Sequence, residues 1–418
     1  MNETDRQLLR ELARRVAEAA ALPVMEQRRI AWKRHNALGA GKPLLLLFPE
    51  GAWRELLPDS ALQCADPVAR EMESDLRIRL YQHEHFADDK PVERNWFVPK
   101  IINGSRSTWG IPLDWGLQPK HHESSQSTGA WGFDPVFHGR EDLQKLRIPT
   151  IHYDEAGTLR DLEQAQELFG DILDVRLSGV RHVSFHFSSL YIHLRGLEPM
   201  LIDMMDEPEM VHEAMAFFEQ GYRETTRQLV EQNLLSLNNN ESYHSSGGVG
   251  YTDELPAPGF DPEHVRLCDI WASAESQEMA PVSPAMHEEF LMRYERNILE
   301  TFGLNGYGCC EDLTRKLDAV MRFPHMRRIS ISPWGQVEPC AEKLGNRFIF
   351  SWKPQPSHLV GDFDEALVRM EIRATVLAAR KNNCVLEMIL KDTHTCQFHP
   401  ERFTLWTRIA REEIDQVD

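Results

Sequence analysis

Apolar residues in this chain fall into short blocks whose spacing changes from helical to extended and back. Leu8, Leu9, Leu12, Val16 and Ala19 recur at helical spacing and predict an N-terminal helical extension over residues 1–40. Residues 42–50 form an almost unbroken apolar run closed by Pro49 and Glu50, the pattern of a strand buried on both faces. Asp66-Pro67 then opens a helical stretch over 66–86. Residues 96–139 depart from both periods. They are rich in Trp, Gly, Pro, Ser and His, with Trp109, Trp115, Trp131 and the pair His121-His122, and predict an irregular insertion shaped as a hairpin or flap. Helix returns over 141–169 with breaks at Pro149 and Gly157. Strands are expected at 183–187 and 234–237, separated by helices over 197–205 and 208–230. The glycine- and proline-rich segment 245–262 is long enough to be a functional loop.

From there one unit repeats five times: an apolar strand, a polar cluster at its carboxyl end, and a helix. The strands are 267–272, 303–308, 328–332, 347–351 and 384–390. Strand-then-helix alternation implies parallel strands joined by right-handed crossovers. Polar clusters at successive carboxyl ends favour an α/β fold of one kind, a single (β/α)8 TIM barrel spanning 41–418 with its active site at that face. A doubly wound open sheet would carry a glycine fingerprint after its first strand, and none is present.

Charge and cysteine usage narrow the partners. The 46 Lys and Arg against 65 Asp and Glu leave a net charge of −19, with no basic stripe, which disfavours nucleic acid and anionic membrane surfaces. No run is long enough to span a bilayer. Seven scattered cysteines, an odd number, point to reduced thiols and a cytoplasmic location.

The chemistry concentrates at strand ends. In an extended segment Tyr307, Cys309 and Glu311 share one face and Cys310 takes the other, so Cys309 is expected in the pocket and Cys310 in the packing behind it. Asp392, His394 and Cys396 likewise share a face. A thiol, an imidazole and a second thiol resemble an open zinc site with three protein ligands, Cys309, Cys396 and His394. Such a zinc would acidify a substrate thiol or act as a Lewis acid on a methylated oxygen or nitrogen. His394 serves equally as a metal-free acid or base. Glu275 and Gln277 share a face at one strand end, and Glu241 and His244 lie at the end before it. Lys353, Lys391 and Asp392 would bind a charged substrate, and Trp334 with Trp352 would wall a flat one. Glu275, Glu311, Tyr307 and His394 are the catalytic candidates.

The run Leu201-Ile202-Asp203-Met204-Met205-Asp206-Glu207-Pro208-Glu209-Met210-Val211-His212-Glu213, the strand end at 274–277 followed by Val282-Ser283-Pro284, and the glycine–cysteine strand end at 306–311 resemble the uroporphyrinogen decarboxylase superfamily. The resemblance implies a single (β/α)8 barrel over roughly 140–418. True uroporphyrinogen decarboxylases hold their substrate's carboxylates with an arginine-rich loop. Here Phe48-Pro49-Glu50-Gly51-Ala52-Trp53 precedes the first arginine, so porphyrinogen decarboxylation is disfavoured. The cobalamin-dependent methyltransferases of the same superfamily carry His-x-Cys where this chain has Tyr307-Gly308-Cys309, and a further cysteine matching Cys396. With tyrosine in the histidine's place, the third ligand must come from His394, Glu275 or His244. Gly-Tyr-Gly-Cys-Cys-Glu, Ile-Ser-Pro-Trp and Ile-Leu-Lys-Asp resemble long members described only as uroporphyrinogen decarboxylase-like.

The resemblance therefore implies a methyltransferase or demethylase that moves a methyl group between a small donor or acceptor and a corrinoid on a partner protein, with zinc at the strand ends and a homodimer as the assembly. The alternatives are a metal-free decarboxylase or lyase acting on a small carboxylic acid, with Lys353 or Lys391 holding the carboxylate and His394 supplying a proton, and a non-catalytic barrel that binds a corrinoid or tetrapyrrole.

Overall fold

The computed structural model describes residues 1–105, 109, 135–244 and 247–417, together with the backbone at 120–121 and 131–132. The N-terminal helical pattern is realised as two helices, Glu3–Ala20 and Pro23–Asn36. The first is capped by Asn2, whose side chain accepts from the Asp5 amide at 2.8 Å. Its Leu9, Leu12, Ala13, Val16 and Ala19 are buried, and they pack into one cluster with Leu76 and Leu80 of the helix Pro67–His85. The second helix ends in His35 and Asn36, both buried, which reach into the sheet as described below.

Seven parallel strands form the central wall: β1 (Leu44–Leu47), β2 (Ser184–Phe185), β3 (Trp271–Ala274), β4 (Leu304–Tyr307), β5 (Met326–Ile331), β6 (Ile349–Trp352) and β7 (Val385–Leu390). Their order is β1-β7-β6-β5-β4-β3-β2, so each strand from β3 to β7 neighbours its predecessor in sequence and the last pairs with the first. That is the neighbour pattern of a (β/α)8 wall. Among the described residues no ladder joins β1 to β2, so closure of the barrel is not seen. The continuous apolar runs are buried on both faces, as expected for parallel strands beneath helices.

Three expectations are corrected. The segment 234–237 contributes only one isolated bridge, Leu235 to Val180, and 183–187 yields a strand of two residues. The region 141–169 is a 3-10 turn, Arg140–Lys145, then a strand, Ile151–Asp154, and then an unbroken helix, Glu155–Phe169. Gly157 does not interrupt that helix. It sits in the first turn, where the Asp154 side chain caps its amide at 2.8 Å and where a Cβ would lie 2.5 Å from the Asp154 carboxylate. In the insertion, Trp115 and His122 lie outside the described residues. Among the described residues no helix is long and apolar enough to cross a membrane.

One face of the wall is polar within strands whose sequence reads as apolar runs. Arg328 and Ser330 of β5, Ser351 of β6 and Glu387 of β7 are all buried, and Ser351 is paired in register with both Ser330 and Glu387. These groups satisfy one another, as buried polar groups must. Glu387 accepts from Arg328 at 2.9 Å, from Ser351 Oγ at 2.5 Å and from His35 at 3.0 Å, and Arg328 also donates to Asn36 Oδ1 at 2.7 Å. The second N-terminal helix, Pro23–Asn36, is thus tied to the floor of the wall.

Candidate active site

The thiol-bearing strand end departs from strict alternation at one residue. Gly308 has φ of +96°, and a Cβ there would lie 2.7 Å from Leu313 and 3.2 Å from the Ser330 carbonyl, so both conformation and space require glycine. The extended path therefore stops at Tyr307, and the face assignment beyond it fails. Cys309 and Cys310 turn to the same side, their sulfurs 3.5 Å apart and both half-buried. Tyr307 is fully buried behind the strand, donating to Glu295 at 2.9 Å with His287 Nε2 at 3.3 Å. It does not share the pocket with Cys309. Glu311 is also buried: one oxygen accepts the Cys309 amide at 2.9 Å and the other the Ser276 amide at 3.2 Å, which pins the ends of β3 and β4 together. Burial pushes the Glu311 carboxyl above its ordinary range.

Groups from three other strand ends converge on Cys309. Lys391, after β7, places Nζ 3.9 Å from Cys309 Sγ and 3.4 Å from Asp392. Burial alone would lower the Lys391 pKa, but Tyr243, Cys309, Asp392 and Glu50 outweigh it and hold the ammonium charged. Glu275, after β3, is near enough to Cys309 for its charge to oppose ionisation of that thiol, and lies 3.1 Å from His186 Nδ1, after β2. Burial opposes charge on both partners, yet their pairing wins: the Glu275 carboxyl is lowered and the His186 imidazole raised. The cluster is a charge-paired ring around a thiol. His186 and Tyr243 carried no assigned role from sequence. His186 fell inside the expected strand 183–187, and only the shorter strand that forms, Ser184–Phe185, puts it at a strand end like Glu275.

The remaining candidates are dispersed. Strand β3 ends at Ala274, so Gln277 opens a 3-10 turn and is exposed rather than sharing a face with Glu275. His244 is buried in the polar floor, bridging the Ala272 carbonyl at 3.1 Å and Arg328 at 2.9 Å, and burial with the Arg328 charge keeps it neutral. Glu241 lines a separate cavity of about 280 Å³ with Arg79, Arg181 and Tyr243. Lys353 is buried, its Nζ 2.6 Å from Ser351 Oγ; burial, against the pull of Glu387, pushes its ammonium down to about 7. Trp334 is 68% exposed and Trp352 only 4%, so they do not wall one ligand together.

The three expected zinc ligands are not brought together. Strand β7 ends at Leu390, and Asp392 has φ of +58°, so Asp392, His394 and Cys396 do not alternate on one face. His394 is exposed beside Gly51 and Arg54. Cys396 is fully buried with its thiol on Glu55 at 3.1 Å, and burial with that carboxylate pushes it up to about 11. Among the described residues no group of three or more His, Cys, Asp or Glu side chains converges as a metal site. Glu55 also accepts the Cys396 amide at 3.0 Å and the Phe398 amide at 2.8 Å, so it organises this turn. Glu55→Ala is accordingly expected to expose Cys396 to iodoacetamide, with peptide mapping showing labelling absent from the unsubstituted protein; equal labelling of both would contradict this role.

Beside the ring, on the β2 side, lies a cavity of about 240 Å³ lined by Trp109, His182, Phe185, His186, Tyr222 and Thr225. The buried Thr225 hydroxyl has no hydrogen-bond partner among the described residues. The His182 ring is stacked near Tyr243, at 5.7 Å between centroids, and burial lowers its pKa, leaving it neutral beside the charged His186–Glu275 pair.

No family model matches the chain, and no curated protein matches it. Among solved structures it is similar to a methyltransferase from Methanosarcina mazei, with a TM-score of 0.50 and 12% sequence identity over 93% of this chain and 98% of that one. At that identity the likeness concerns the fold. It covers nearly the whole of both chains.

Proposed function

We propose that this chain is a methyl-transfer enzyme, moving a methyl group between a small substrate and a corrinoid carried by a partner protein. The observation that carries the proposal is the ring at the strand ends, with Cys309 held between the Lys391 ammonium and the Glu275–His186 pair. The description of the fold neighbour as a methyltransferase supports the same reading. The corrinoid would serve as the methyl acceptor or donor. The chain's own residues do the rest. The 240 Å³ cavity seats a small molecule against His186. His186, kept charged by Glu275, provides a proton to the heteroatom that loses its methyl group. Lys391 steadies negative charge developing at that heteroatom or at the Cys309 sulfur. The zinc set is not gathered in one place, and no step is assigned to it or to the decarboxylase set, Lys353 or Lys391 with His394.

The test uses purified protein with methylcobalamin and a panel of small thiols, and with cob(I)alamin and a panel of small methyl ethers and methylamines, followed by visible absorbance. Conversion in one direction is expected. Glu275→Gln should slow it about ten- to hundredfold, the range for losing one hydrogen bond to a charged group. No conversion with either form of the cofactor would overturn the reading.

A further inference from the structure

We infer that Cys309 and Cys310 form a thiol–disulfide exchange centre that takes small-molecule disulfides and closes to a reversible disulfide between adjacent residues. This stands independently of methyl transfer. The positive φ at Gly308 turns both side chains to one side, 3.5 Å apart, at the carboxyl rim of the wall. Both thiols are half-buried, so a small reagent reaches what a protein thiol would not. The other five cysteines make no sulfur contact with another cysteine among the described residues: Cys396 is engaged by Glu55, Cys384 by the Ala341 carbonyl and Cys340 by Thr314.

The exchange balances in two steps. The thiolate of one cysteine attacks a sulfur of the small disulfide; that S–S bond breaks, one small thiolate leaves and takes a proton from solvent, and a mixed disulfide remains. The second cysteine gives its proton to solvent and attacks the protein sulfur of the mixed disulfide, releasing the second small thiol. The protein dithiol is oxidised by two electrons and the small disulfide is reduced to two thiols. The ring this closes is strained. Consecutive Cα atoms lie about 3.8 Å apart, short of the roughly 4.4–6.8 Å that disulfides prefer. Strain raises the reduction potential, so the bond reopens readily in a thiol-rich environment. A couple of this kind responds to the ratio of disulfide to thiol instead of locking the fold.

The experiment treats the reduced, full-length protein with oxidised glutathione, quenches in acid, alkylates free thiols and maps peptides by mass. The unsubstituted protein should lose two thiols, both at 309–310, and carry no glutathione, with dithiothreitol restoring both. Cys309→Ser and Cys310→Ser should each retain one glutathione adduct on the remaining cysteine, because nothing resolves it. A stable adduct on the unsubstituted protein, a linked dimer, or two unreacted thiols at 309–310 in folded protein would each overturn the inference. The readout is chemical, so it stands or falls apart from any methyl-transfer assay.

Discussion

Glu387→Ala is expected to destabilise the protein by about 3–5 kcal/mol, the range for removing one partner of a buried ion pair and leaving the other charge uncompensated. Glu387 and Arg328 are both essentially without solvent exposure. The carboxylate is held far below its ordinary range: burial alone would raise it, but the Arg328 charge and the His35 hydrogen bond overcome that. Its contribution is therefore present above the unfolded carboxyl pKa and is lost as the solution is acidified through the folded value. Removing it strands Arg328 between His244 and Asn36 and leaves Lys353 facing two cations, Arg328 and Lys391, without the anion that offsets them. Urea denaturation read as a midpoint at constant slope measures the loss. The double variant Glu387→Met/Arg328→Met provides the decisive contrast, since an apolar pair of similar volume removes the stranded charge along with its partner. It should be more stable than Glu387→Ala. A single variant within about 1 kcal/mol of the parent, in the range of an exposed pair, would refute a structural role for this floor.

The same residues show what the sequence could and could not convey. The parallel wall was legible because each strand is an apolar run followed by a helix, and that pattern survives wherever both faces of a strand are buried. The polar floor was not. Arg328 and Glu387 are far apart in sequence and become partners only through strand order, so each looked like a stray charge in a strand. At the site, Cys309, Glu275 and Lys391 were located by their place after strands, and the structure does gather them. His186 escaped the same rule because the expected strand 183–187 ran past it, whereas the strand that forms ends at Phe185. What failed was alternation carried past the last strand residue. Gly308 and Asp392 both adopt positive φ, and each re-aims everything after it. Period-two reasoning assumes extended backbone, so it split two thiols that lie 3.5 Å apart and united Asp392, His394 and Cys396, which go three separate ways.

Glu295→Gln is expected to remove a pH dependence of stability that the unsubstituted protein shows between pH 5 and pH 8. Glu295 is fully buried in the helix Arg293–Leu299, accepting from Ser276 Oγ at 2.5 Å and from the Tyr307 hydroxyl at 2.9 Å. Burial pushes its carboxyl up to about 7; those two hydrogen bonds pull the other way, and the neighbouring Glu311 adds to the rise. The folded protein therefore keeps a proton that the unfolded chain releases near its ordinary value of 4.5. Stability from this group is fully present below that value and is lost as the pH rises through 7, a loss of about 3 kcal/mol when complete. Glutamine is neutral throughout and pays no such charge penalty. Its amide nitrogen must donate where the carboxylate accepted, and Tyr307 can accept because its own proton has a second outlet. His287 Nε2 lies 3.3 Å away, and His287 is kept neutral by burial and by the Lys316 charge. Urea unfolding at pH 5 and pH 8 should show the parent losing about 3 kcal/mol more stability across the interval than the variant does. Parallel curves would sink the argument. Because Ser276 and Glu311 tie the β3 and β4 ends together, the proton on Glu295 also bears on the chain segment that carries Cys309.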